Sequence, residues 1–202
     1  MFAKMKVATR LGWGFGIVIA LLLVMSTVSL ARLATLNGNL KQITQLNYPQ
    51  VVLAHDAIEL SLENDKLLRS FVLYDDDAQR ADMKSRIEAN RSRITADLDK
   101  LARHIDTPAD AQAIKDVALA RNALVPMYDA FYAQYKADPR QGVNYLLTTV
   151  VDARKNFEKA LSAAAQIQSD VMSDTVKNAD ETFSQTRNEV IALASGAVIA
   201  AI

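Results

Sequence analysis

The sequence has no cysteine, so disulfide staples, thiolate metal sites and cysteine nucleophiles are excluded. Glycine and proline are scarce, at six and four residues, and aromatic residues make up only 6 %. Sheets draw on β-branched and aromatic residues; this chain is rich in Ala and Leu, which favours helix. Lys+Arg and Asp+Glu number 23 each, so there is no cationic excess for nucleic acid. The two histidines, His55 and His104, fall at the wrong ends of different helices for a joint site. There is no Glu-x-x-His pair, no Gly-rich phosphate loop and no nucleophile–base pattern. No catalytic residue, metal or cofactor is expected.

Two apolar runs bracket a polar middle. Leu11–Leu30 contains no charge. At about 1.5 Å per residue it extends roughly 30 Å, the thickness of a bilayer core. Lys4, Lys6 and Arg10 precede it, and only Arg32 follows before Lys41. That bias places the N-terminus in the cytoplasm and the middle outside. A cleaved signal peptide is the rival reading, on the small-x-small Ser29-Leu30-Ala31. The run is long for that, and helical patterning continues through Ala31, so the anchor is favoured. Val190–Ile202 is apolar too but covers only about 20 Å. It reads as the start of a second membrane helix cut by the end of the sequence, in preference to a buried Ala-rich helix. The expected layout is a cytoplasmic N-terminus (1–10), a first transmembrane helix (11–31), an external domain (32–189) and the start of a second transmembrane helix (190–202). A soluble domain held between two membrane segments is the layout of a sensor.

Punctuation divides the middle into four helices. The first runs from the anchor to about Tyr74, with a kink or break at Asn47–Pro49. Asp75-Asp76-Asp77 supplies a turn and N-cap. The second covers about Ala78–Ile105, and Asp106-Thr107-Pro108 reads as stop, cap and first turn. The third covers about Ala109–Lys136, bent at Pro126. Asp138–Gly142 reads as a turn. The fourth runs from about Val143 into the second apolar run, with no Gly or Pro before Gly196. Short turns make neighbours antiparallel. The fold class is all-α: an up-down-up-down four-helix bundle continuous with two transmembrane helices.

Apolar stripes at 3-4 spacing mark the inward faces. Helix three gives Ile114, Val117, Arg121, Leu124, Tyr128, Phe131, Tyr135, with Arg121 the exception. Helix four gives Val143, Leu147, Val150, Arg154, Phe157, Leu161, with Arg154 the exception. Helix two gives Met83, Ile87, Asn90, Ile94 and then Leu98 or Leu101, with Asn90 the exception. Helix one gives Ile58, Leu62, Asp65, Arg69, Val72, which puts Asp65 and Arg69 on or beside the seam. Counted from the distal turns, these exceptions share a band roughly 12 Å deep. Converging guanidiniums suggest an anion pocket, since each can grip a carboxylate with two hydrogen bonds. Arg69, Arg121, Arg154 and Asn90 are the candidate ligand residues. Tyr128, Tyr135, Thr148 and Thr149 lie near the same level and could donate hydroxyls. Asp65–Arg69 also fits a plain i,i+4 surface pair, and Arg91 and Arg93 read as solvated charges, with a dimer seam as the alternative. The Ala-rich spacing Leu161, Ala164, Gln168, Val171, Thr175 suggests close packing, including a dimer seam near the membrane.

The opening Lys6-Val-Ala-Thr-Arg-Leu-Gly-Trp-Gly-Phe-Gly16, the Tyr48-Pro49 break and the stretch Leu67-Leu-Arg-Ser-Phe-Val-Leu-Tyr-Asp75 resemble bacterial methyl-accepting chemotaxis proteins. The resemblance covers the whole chain in layout. It implies a four-helix-bundle ligand-binding domain in the periplasm, anchored in the inner membrane and working as a homodimer. It implies a small carboxylate ligand held by arginines near the end of helix one at the dimer interface, a role it carries to Arg69. It implies a cytoplasmic kinase and coupling protein as partners, reached through a HAMP linker and methylated helices that would follow Ile202. A histidine-kinase sensor domain, or an indirect sensor that contacts a periplasmic binding protein, would share the same input bundle.

Overall fold

The computed structural model describes the backbone of residues 7–105 and 107–201, and side chains over 12–105 and 107–196. Most of the predicted stretch 1–10, the end of the second apolar run and Asp106 lie outside the described residues. Within them the chain is helical, without strand. Helix α1 is Val7–Lys41, followed by a π-helical turn Gln42–Asn47 and α2, Tyr48–Leu73. Then come α3, Asp77–Leu101, and α4, Pro108–Ala137. Helix α5, Pro139–Tyr145, a second π-helical turn Leu146–Val150 and α6, Val151–Ala201, complete the chain.

The residues group into two compact units, 1–44 with 173–202, and 45–172. The larger unit lies inside the predicted domain 32–189, and the flanks 32–44 and 173–189 group with the smaller one. In the smaller unit α1 holds a stretch long and apolar enough to cross a membrane. Trp13, Phe15, Leu22, Leu23 and Leu30 are 56–68 % exposed there. Exposed apolar side chains grouped in this way mark a surface for contact with another apolar surface.

In the larger unit the partners of cross-helix bonds recede along one helix as they advance along the next. Arg86 pairs with Glu63 and Arg80 bonds the Phe71 carbonyl; Arg121 bonds Thr95 and Arg80 bonds Tyr135; Arg154 pairs with Asp65 and Asn47 bonds Gln168. Neighbours are therefore antiparallel, a four-helix bundle. Leu68, Ile87, Val117, Leu124, Phe131, Leu146, Phe157 and Leu161 are each 3 % exposed or less and form its core. Burying one such side chain contributes about 1.5–3 kcal/mol.

The helix ends follow local chemistry. Asp76 caps α3 by accepting from the Ala78 N–H at 2.8 Å. Thr107 and Asp110 form a reciprocal capping box at the start of α4, with Pro108 in the first turn. The expected break near Pro49 is a π-helical turn just before it. Proline offers no N–H to the preceding turn, and a locally wider turn absorbs the missing bond.

Four expectations need correction. The second helix ends at Leu101, not Ile105; the last turns tighten through Arg103 N–H to Lys100 and His104 N–H to Leu101, and Ile105 finds no core to hold it, at 46 % exposed. Asp138–Gly142 is not an open turn. Asp138 alone leaves the helix and caps the Arg140 N–H at 2.9 Å, and Pro139 restarts helix at once. Leu147 is 51 % exposed and Leu146 takes its place at 1 %, because the π-helical turn there favours steps of four: Leu146, Val150, Arg154. On helix one Leu62 is 40 % exposed, and the inward stripe is Ala54, Ala57, Ser61, Asn64, Leu68. With that face inward, Arg69 lies on the outer side of the helix.

Gly142 is needed for contact, not for a turn. A Cβ there would stand 2.5 Å from the Tyr135 Cα and 2.6 Å from its Cβ. Ala gains about 1 kcal/mol in helix propensity over Gly, but overpacking against a backbone atom costs about 1–3 kcal/mol or more. Gly142→Ala should therefore lower the melting temperature by several degrees. A raised temperature would show that α4 and α5 separate freely.

Candidate functional site

Helices α2, α3, α4 and α6 contribute to a small cavity of about 20 Å³. Its polar lining is Ser61 and Asn64 from α2, Arg91 from α3, and Arg121 and Tyr128 from α4; Phe157 of α6 closes it. This volume admits one water-sized group. Asn90, 7 % exposed, donates from Nδ2 to the Asn64 Oδ1 at 3.0 Å. That bond engages the Asn64 Oδ1, and the Asn64 amide nitrogen lies against the Tyr128 phenol; the Ser61 Oγ is buried without a hydrogen bond.

Two guanidiniums stand at this level. Arg91 pairs with Glu88 at 2.7 Å and lies 5.4 Å from the Tyr128 ring centre, a cation–π contact. Arg121 donates to the Thr95 Oγ1 at 2.5 Å, and that hydroxyl donates onward to the Arg91 carbonyl at 2.8 Å. Among the described residues Arg121 has no carboxylate within ion-pair distance. Donors therefore outnumber acceptors here, and the local charge is positive.

Tyr128 is buried, and burial pushes its phenol up to about 12. Asn64, Arg91 and Arg154 act in the opposite direction without offsetting desolvation. Burial also raises Tyr132, and its hydroxyl is without a hydrogen bond.

Beside the cavity is a separate ion-pair group. Arg154, 9 % exposed, approaches Asp65 at 3.7 Å and makes a close pair with Glu158. Arg69 pairs with the other Asp65 oxygen at 2.9 Å, and its side chain is 46 % exposed. Two cations thus share two carboxylates, so the charge of Arg154 is compensated where that of Arg121 is not, although the Arg154 Nε and the Asp65 Oδ1 make no hydrogen bond. Of the residues singled out in the sequence, the structure brings Asn90, Tyr128 and Arg121 to the cavity level, with Arg154 next to them. Arg69 lies on the outer face. Thr148 stands apart: it is exposed, donates to the Asn144 carbonyl at 2.8 Å and lines a surface hollow with Gln134 and Arg140.

A second polar level lies nearer the π-helical turn that follows α1. Asn47 donates from Nδ2 to the Gln168 Oε1 at 2.7 Å, and Gln168 donates from Nε2 to the Asp110 Oδ1 at 2.8 Å. The other Asp110 oxygen accepts from the Thr107 N–H at 2.9 Å and its hydroxyl at 2.8 Å. Asn47, Gln168 and Asp110 are each 5 % exposed or less. Sequence reasoning missed this chain, although Gln168 interrupts an apolar heptad and Asn47 precedes the proline. It also missed Ser61 and Asn64, which share a face three residues apart, and set Arg91 aside as solvated.

The family model described as a four helix bundle sensory module for signal transduction matches residues 4–183. No curated relative and no solved structure matches the chain.

The folded Tyr128 phenol holds its proton more tightly than an unfolded one, so its share of stability is intact below about pH 10. It is lost as pH rises towards 12. Urea unfolding between pH 9 and 11 should show stability falling with pH, and Tyr128→Phe should flatten that fall by up to about 1.4 kcal/mol per pH unit. An unchanged slope would place this phenol in water.

Proposed function

The chain belongs to the four-helix-bundle sensory modules of methyl-accepting chemotaxis proteins, a family of signal-transduction modules and not of enzymes; from that premise we propose that it is the periplasmic input part of an inner-membrane chemoreceptor. It binds a small anionic attractant, an organic acid or acidic amino acid, and signals across the membrane by helix displacement. The observation that carries the ligand class is Arg121, a half-buried guanidinium without a carboxylate partner among the described residues, beside the Ser61 hydroxyl, which is buried without a hydrogen bond. Cations and donors held without acceptors favour an anion.

The size of the cavity bears on mechanism. A space of about 20 Å³ takes one water-sized group, less than a dicarboxylate needs. Entry of a ligand head therefore requires its walls to part. A ligand that fits only the parted arrangement must favour it, and this is what a signal requires. Phe157 and Arg154 put α6 beside the site, and α6 leads into the second apolar run. A homodimer in the membrane, acting on a cytoplasmic kinase through a coupling protein, completes this reading.

A second reading rests on the outward position of Arg69, which pairs with Asp65 through Nε alone and, half exposed, can present its terminal N–H groups to a carboxylate at a subunit interface. Thermal-shift measurements on the whole chain in nanodiscs, against organic acids and amino acids, separate the two. A specific ligand at a hundred times its dissociation constant contributes about 2.7 kcal/mol. Arg121→Ala should abolish the shift while Arg69→Ala keeps it. Loss with Arg69→Ala alone would move the site to the outer face, and no shift with any ligand would favour indirect sensing through a periplasmic binding protein.

A further inference from the structure

We propose that Gln168 is a two-position switch, with Asn47 and Gln50 as its alternative partners, that sets the position of α6 against α2. The proposal rests on the sensory reading, for which it supplies the two arrangements.

Direction in this hydrogen-bond chain starts at Asp110. The capping box engages one of its oxygens, and the other accepts from Gln168. Gln168 must therefore face Asp110 with nitrogen and turn its oxygen towards α2. That oxygen needs a donor, which Asn47 supplies at 2.7 Å. Gln50 lies three residues on, on the same buried face, and its Nε2 is buried without a hydrogen bond. It lines one gap of about 10 Å³ with Asp110 and Gln168. A second amide donor thus stands about 4.5 Å further along the helix, unused and next to the same acceptor.

Both bonds of Gln168 are short. A slide of α6 by two residue rises, about 3 Å, stretches a bond of this length lying across the helices to about 4 Å, past the limit near 3.5 Å. In the displaced position Gln50, longer than Asn47 by one methylene, takes over the Gln168 oxygen, and the Asp110 bond follows through rotation of a flexible side chain. Asn47 ends the π-helical turn Gln42–Asn47, where the backbone hydrogen bonds already depart from the α pattern. Helix one can therefore yield at this level without breaking a regular helix. Small displacements become discrete states when a packed element has two sets of partners.

The test uses the full chain in nanodiscs and needs no ligand, so its failure is separate from failure of the ligand screen. The cysteine-free sequence allows spin labels at exposed Glu59 and Ser162. Asn47→Leu should lower the melting temperature and add a second distance population by electron–electron resonance. Gln50→Leu removes an unpartnered donor, so it should raise the melting temperature by about 2–4 °C and keep the parent distance. Should Asn47→Leu fail to fold, Asn47→Ser, too short to reach Gln168, makes the same comparison. An unchanged distance distribution on loss of Asn47, or a Gln50→Leu chain less stable than the parent, would overturn the proposal.

Discussion

A carboxylate buried among helices must be surrounded by donors, and Asp110 meets that demand at the first turn of α4. The capping box supplies two donors and the helix N-terminus a favourable field. Gln168 supplies the third from α6, and its own oxygen then commits Asn47 of helix one. Each unpaired buried group costs about 1–3 kcal/mol, against a total stability of about 5–15 kcal/mol. Leu and Ala surfaces tolerate small axial slips, because one methyl serves about as well as the next. Amides and carboxylates do not. The polar level near the π-helical turn, and the Asp65 level at the distal end, thus fix where each helix stops along its neighbours.

Most of the fold was legible because its punctuation is chemical. Asp76, Thr107 and Asp138 cap helices, and Pro49 marks the place where the α pattern yields. The two π-helical turns were not legible, since one widened turn leaves no compositional trace. That omission moved Leu147 into the expected core in place of Leu146. On helix one the inward face carries Ser61 and Asn64, and a search for apolar spacing chose the adjacent face with Leu62. The same shift assigned Arg69 to the seam, and Asp65 alone of that pair turns towards α6. Asn90, Tyr128 and Arg154 are buried where the stripes put them. Thr148 shows the weakness of height alone: distance from a turn says nothing about azimuth.

The larger unit carries two kinds of polar burial. Arg154 with Asp65 and Glu158 is compensated in charge, though its Nε and the Asp65 Oδ1 make no hydrogen bond. The Ser61–Arg121 level is under-satisfied, with donors in excess. A sensory module needs both: a frame that keeps the helices in register, and a place where binding changes the balance of forces. The two lie within a few turns of each other on α2, so a change at one is felt at the other through the same helix.

The distribution of aromatic residues gives this chain a natural division of spectroscopic labour. Its only tryptophan, Trp13, belongs to the smaller unit, and all six tyrosines fall between Tyr48 and Tyr145 in the larger one. Phe71 meets Phe131, Tyr132 and Tyr135 edge-on in the larger unit, which holds no indole. Indole emission therefore reports the environment of the apolar segment, and tyrosine absorption and near-ultraviolet dichroism report the bundle. Events at the apolar segment and events in the bundle can be followed in one sample without attaching a dye.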